Sequence, residues 1–194
     1  MKRILIGFFT LFLCFFSLAV YALETYNLDP NHTYLLWHTS HFGFSEQSGK
    51  WPASGVLLLD EKNPENSKVN VTVRIEDLAT SLAEFDKHLK GKLFLNVEQF
   101  PVATFVSDKI VVTGKKTAKV TGMLTLHGVT KSIMLSVKFN KKGINPVNDK
   151  ETVGFSATTT LKRSDFGMTA LLPGVGDDVK IEIEAEASKA KGNE

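Results

Sequence analysis

Strict alternation of apolar and polar residues dominates this chain. Val69-Asn70-Val71-Thr72-Val73-Arg74-Ile75 puts four branched aliphatics on one face and polar side chains on the other, because successive strand residues point to opposite faces. Residues 179–187 repeat the arrangement, with Lys180, Glu182, Glu184 and Glu186 on the polar side. The spans 120–126 and 133–139 form a further pair. The glycine-containing stretch between them, His127 to Lys131, predicts a hairpin. Residues 55–59, 104–112 and 153–161 also read as strands, as does 35–44 with a blurred period. About eight strands at short spacing, bounded by turn clusters such as Lys62-Asn63-Pro64 and Gly143-Ile144-Asn145-Pro146, predict an all-β antiparallel sandwich or barrel.

One stretch carries the helical period instead. Leu82, Phe85 and Leu89 share a face, with Ser81 placed as N-cap, Glu84 three residues on and Gly91 as the stop. The expectation is one short helix covering a barrel end or a sheet edge.

The N-terminus belongs to neither pattern. Lys2 and Arg3 precede an apolar run that ends in Val20-Tyr21-Ala22, the form of a secretory signal cleaved after Ala22. An uncleaved anchor is the alternative, since the run is nearly long enough to span a bilayer, but no stop-transfer charges flank it. The reading is therefore a signal over residues 1–22 and one domain over 23–194, placed in the periplasm or secreted. Losing Lys2 and Arg3 takes the 23 basic residues to 21, equal to the 21 acidic ones. A neutral domain lacks the basic face that nucleic acid requires. Cys14, the single cysteine, leaves with the signal, so no disulfide supports the domain and the core must.

Candidate chemistry is sparse. His38 and His41 lie three apart on an expected strand and point to opposite faces, while His32, His88 and His127 are isolated and no mature cysteine accompanies them; no metal site is expected. There is no G-x-S-x-G elbow, and Ser164-Asp165 reads as a turn pair satisfying backbone donors. Pro173 to Asp178 is glycine-rich but lacks the Lys-Ser/Thr of a phosphate loop. The aromatics are more informative. Trp37, Phe42, Phe44, Phe94, Phe105, Phe155 and Phe166 lie in or beside strands. They serve either as packed core or as the lining of a barrel wide enough for one small apolar ligand.

Several segments, taken in order, resemble the YceI family of exported proteins over essentially the whole mature chain. They are Asp29-Pro30-Asn31-His32, His41-Phe42-Gly43-Phe44-Ser45, His88-Leu89, Phe94-Leu95-Asn96-Val97 with Phe100-Pro101-Val102-Ala103-Thr104-Phe105, Thr121 through Lys131, Arg163 through Met168, and Val175 through Val179. The resemblance implies an extended antiparallel lipocalin-like barrel with a helix beside it and a long apolar tunnel. It also implies binding of a polyisoprenoid lipid, an isoprenoid quinone or prenyl pyrophosphate, by a periplasmic homodimer; transient contact with a membrane is a further expectation for a carrier of such a lipid. No cofactor is implied beyond that lipid, and no catalysis. These aromatics, Trp37, Phe42, Phe44, Phe94, Phe105, Phe155 and Phe166, become candidate tunnel residues, with His41 and Arg163 as candidates to meet a polar head; both could equally satisfy turn carbonyls. The rival reading is an accessory protein or enzyme in quinone-linked electron transfer, or a stress factor.

Overall fold

A computed structural model describes residues 23–191; the expected signal over 1–22 lies outside them. Ten strands form: β1 (Glu24–Leu28), β2 (Tyr34–His41), β3 (Ser45–Pro52), β4 (Ser54–Leu59), β5 (Lys68–Arg74), β6 (Val102–Gly114), β7 (Thr117–Leu126), β8 (Val129–Ile144), β9 (Glu151–Lys162) and β10 (Asp178–Lys189). All pairings are antiparallel. β1 and β2 both lie along β10, with Leu28 opposite Ala187 and Tyr34 opposite Glu184. They act as one strand broken at residues 29–33. β3 and β4 are likewise one strand broken at Ala53, paired with β2 and β1. The buried Thr33 hydroxyl repairs the break, donating to Glu186 O at 3.0 Å and accepting from Glu186 N at 3.2 Å. The remaining strands follow in chain order from β4 to β10. The wall is thus a closed meander with eight positions, an all-β barrel that leaves few free strand edges.

The strand count of about eight matches these positions, but two strands went unread in the sequence. β1 has five residues, and β3, Ser45-Glu46-Gln47-Ser48-Gly49-Lys50-Trp51-Pro52, has no apolar alternation. The expected strand over 35–44 ends at His41. Phe42 (φ +52°) and Gly43 (φ +72°) reverse the chain there. Two glycines admit large aromatics to the inner face: a Cβ on Gly49 would stand 2.6 Å from Trp37 Nε1, and one on Gly122 would stand 2.5 Å from Phe105 Cζ.

Helix α1 (Ala83–Lys90) forms as expected and ends at Gly91, whose N–H donates to His88 O at 3.2 Å. Its start differs. Ser81 adopts φ +70° and makes no cap. Instead the Asp86 carboxylate reaches back and accepts from the Thr80 backbone N–H at 2.7 Å and from the Thr80 hydroxyl. The two barrel ends are closed by different chemistry. At one, Ile75, Leu78, Phe85, Leu89, Leu95 and Val97 pack on Trp37, Phe166 and Met168 to make the main core.

At the other end charges converge. The Tyr26 hydroxyl, on a fully buried residue, lies 2.7 Å from Glu151 and 3.1 Å from Glu24. Lys142 pairs with Glu61 and with Glu151 at 3.3 Å, and Lys189 with Glu24 at 2.7 Å. The hydrogen bond from Lys189 holds the Glu24 carboxyl below its usual range, and that from Tyr26 does the same for Glu151. Burial and the two carboxylates push the Tyr26 hydroxyl far up. Depressed carboxyls stabilise the fold above the unfolded value of 4.5, and that contribution is lost as pH falls through the lower folded values. A raised phenol works in the opposite direction, weakening the fold above 10, where only the unfolded chain ionises. Melting temperature against pH should therefore fall at both extremes. Glu151→Gln should flatten the acid limb and Tyr26→Phe the alkaline limb; limbs that both variants leave unchanged would locate the titrating groups elsewhere.

Candidate ligand-binding interior

The register stacks apolar side chains into tiers on the inner wall. Phe139 lies opposite Phe155, and Phe155 opposite Ala185. Val137, Ala157, Ile183 and Leu35 form the next tier, and Thr159, Ile181 and Trp37 another. Across the barrel, Val71 faces Phe105, and Phe105 faces Leu124. The inward row of β8 reads Val129, Lys131, Ile133, Leu135, Val137, Phe139, with Lys131 its one charged member.

Trp37, Phe105 and Ala157 are buried, but the inward rows of β8 and β10 are unusual in being only half-buried. From Val129 to Phe139 every inward residue of β8 keeps intermediate exposure, as do Val179, Ile181, Ile183 and Ala185 of β10. Inward residues of a filled small barrel would be nearly inaccessible, since interiors close-pack. Here the side chains stop short of filling the space, and an apolar inner surface stays accessible.

The wall also has a gap. The β8–β9 ladder runs from Ile144 opposite Glu151 to Ser136 opposite Thr158, and stops there. Both strands continue toward the α1 end, β8 held by β7 and β9 by β10, but not by each other. A cavity of about 690 Å³ occupies the separation. Inward Ile133, Leu161 and Ile181 line it together with outward Met134 and Thr160. At its edge Lys131 Nζ meets Asp165 Oδ1 at 2.8 Å.

The aromatic residues singled out from the sequence fall into three groups. Trp37, Phe105 and Phe155 lie on the inner wall; Phe155 meets Phe139 edge-on at 5.5 Å between ring centroids. Phe94, against His88 at 5.1 Å, and Phe166, 2% exposed, belong to the closure at the α1 end. Phe42 and Phe44 sit on the outside of the β2–β3 turn, 49% and 90% exposed, and add nothing to the interior. His41 stays with them, exposed and edge-on to Phe42 at 4.8 Å.

Arg163 is turned into the crossover that follows β9. Its guanidinium is buried and donates from Nε to Gly176 O at 2.8 Å, from Nη1 to Met168 O at 2.7 Å and from Nη2 to Val175 O at 2.9 Å. All three acceptors are carbonyls of the turn region between β9 and β10. Ser164 likewise serves the turn, bonding Asp177 through N at 2.9 Å and Oγ at 2.8 Å, whereas Asp165 meets Lys131. The aliphatic lining, Leu35, Ile133, Leu135, Val137, Ile181 and Ile183, was not singled out, although its alternation marks it. Among the described residues one group of three carboxylates converges, Glu24, Glu61 and Glu151, and the Lys142 ammonium pairs with all three.

A closed antiparallel meander with an accessible apolar interior defines a β-barrel of the ligand-enclosing type. The sequence profile of the YceI-like domain matches residues 26–187, and the chain belongs to that family. It is 39% identical over 170 residues to a UPF0312 protein of Pseudomonas putida strain W619, covering 86% of this chain and 87% of that one. A UPF0312 protein of Pseudomonas savastanoi pv. phaseolicola is 43% identical over 164 residues, covering 84% of each. Among solved structures, the Campylobacter jejuni YCEI protein superposes with a TM-score of 0.69 at 30% identity, covering 78% of this chain and 90% of that one. A polyisoprenoid-binding domain from Saccharophagus degradans shares the fold at 13% identity and a TM-score of 0.66, covering 87% and 99%.

Proposed function

We propose that this protein is a non-catalytic carrier that sequesters a polyisoprenoid lipid inside its barrel, in the periplasm or outside the cell after loss of residues 1–22. The accessible apolar rows of β8 and β10 on the inner wall carry the reading. Such a surface is costly in water and suits a branched hydrocarbon chain, which gains about 25 cal/mol for each Å² of apolar area removed from solvent. Ordering a flexible chain opposes this, so affinity falls well below the area figure. The described polyisoprenoid-binding fold neighbour supports the ligand class. The polar outer rows, such as Lys180, Glu182 and Glu184 of β10, keep the loaded protein in water.

Titration of the mature protein with geranylgeraniol, followed by Trp37 and Trp51 fluorescence, tests this. Saturable binding with the alcohol recovered chemically unchanged is expected. A linear, non-saturating response would overturn the carrier reading, and conversion of the alcohol would replace it with an enzyme.

A further inference from the structure

An amphiphile whose tail lies in the barrel must leave its charged end where water and compensating charge can reach it. Neither end of this barrel serves. One is occupied by the core around Trp37 and Phe166, the other by the ion pairs around Tyr26. The β8–β9 gap is different. Its cavity is lined by both faces of the sheet, so it runs from the inner wall to the outside. Lys131 stands on the inward row of β8 at this gap, with its side chain 43% exposed. Around it Lys162 and Lys180 share the lining with the hydroxyls of Ser132 and Thr158 and with the Glu182 carboxylate. Lys162 pairs with Asp178 at 3.2 Å and Lys180 with Glu46 at 3.9 Å, so Lys131 is the cation of the inward row.

We propose that the β8–β9 gap is the head-group site of the ligand, where the Lys131 ammonium exchanges Asp165 for an anionic, oxygen-rich end such as a phosphate ester. This rests on the carrier reading above. The Lys131–Asp165 pair is half-exposed on both sides, and ion pairs of that kind are weakly held. An incoming dianion can therefore displace the carboxylate while the tail remains against Ile133 and Leu161. With no ladder to break there, the strands can admit the chain sideways, and Asp165 holds the Lys131 ammonium when no anion is bound.

The test compares geranylgeranyl pyrophosphate, geranylgeraniol and inorganic pyrophosphate on the mature protein. Lys131→Met should weaken binding of the pyrophosphate-ended chain by roughly tenfold and leave the alcohol within about twofold, while Lys131→Arg retains the wild-type preference. Asp165→Asn, which frees the ammonium, should strengthen binding of the pyrophosphate-ended chain and not the alcohol. Lys138→Met, on the outer face of β8, should change neither. Inorganic pyrophosphate alone should not displace a bound chain. If Lys131→Met moves both chains equally or neither, the head group lies elsewhere and this site is refuted while the carrier reading stands. Displacement by inorganic pyrophosphate would also refute it, marking a general anion site. A wild-type protein that binds neither chain removes both proposals together.

Discussion

Replacing Arg163 with methionine is expected to lower the unfolding free energy by about 3–5 kcal/mol. The guanidinium is 6% exposed and uses each of its nitrogens to hold a carbonyl of the crossover between β9 and β10. Methionine fills similar volume but donates nothing, so Met168, Val175 and Gly176 lose a partner for their oxygens. A buried acceptor left unpaired costs about 1–3 kcal/mol, and the losses should add incompletely because water can enter a loosened loop. Lysine should not rescue, since one ammonium cannot reproduce the planar fork that reaches three diverging carbonyls. Chemical denaturation gives the magnitude. A loss below about 1 kcal/mol would show that the carbonyls are already hydrated and that the crossover does not depend on Arg163.

Val137→Glu should weaken geranylgeraniol binding by about a hundredfold or more, with a much smaller change in stability. Val137 faces inward with Ala118 and Ala157 as its cross-strand neighbours and is half-buried. In the free protein a carboxylate there can keep water. A hydrocarbon chain lying across it removes that water, and the carboxylate must desolvate or take up a proton, at several kcal/mol. Lys138→Glu, one residue on and facing out, is the matched control and should bind normally. Unchanged affinity in Val137→Glu would show that the chain does not pass this section of the barrel.

The repeating part of the fold was legible because alternation is a local property. Residues 69–75 and 179–187 could be assigned from their own side chains, and the hairpin at His127-Gly128 formed with both residues at positive φ, as a two-residue turn requires. β3 was hidden because its partners dictate it. Only Gly49 is buried in it, under the Trp37 ring, so no apolar row announces the strand. Phe42 and Phe44 read as a continued strand, whereas Phe42 itself takes the left-handed conformation that ends it.

For the candidate site the limits were of another kind. Composition pointed to aromatics, but much of the inner wall is aliphatic and follows from the register of neighbouring strands. The role of Arg163 depends on where residues 168, 175 and 176 are brought by the crossover, which no spacing rule encodes. The gap between β8 and β9 is likewise invisible in either strand, since both keep their alternation through it. Lys131, a charge in an otherwise apolar inward row, was its one local trace.

Native mass spectrometry of the mature protein, purified without detergent from the compartment in which it acts, tests the central claim most directly. The carrier account predicts a population heavier than the chain by the mass of one polyisoprenoid, released intact by organic extraction. Protein that is reproducibly bare, and stays bare after incubation with geranylgeraniol, would contradict it.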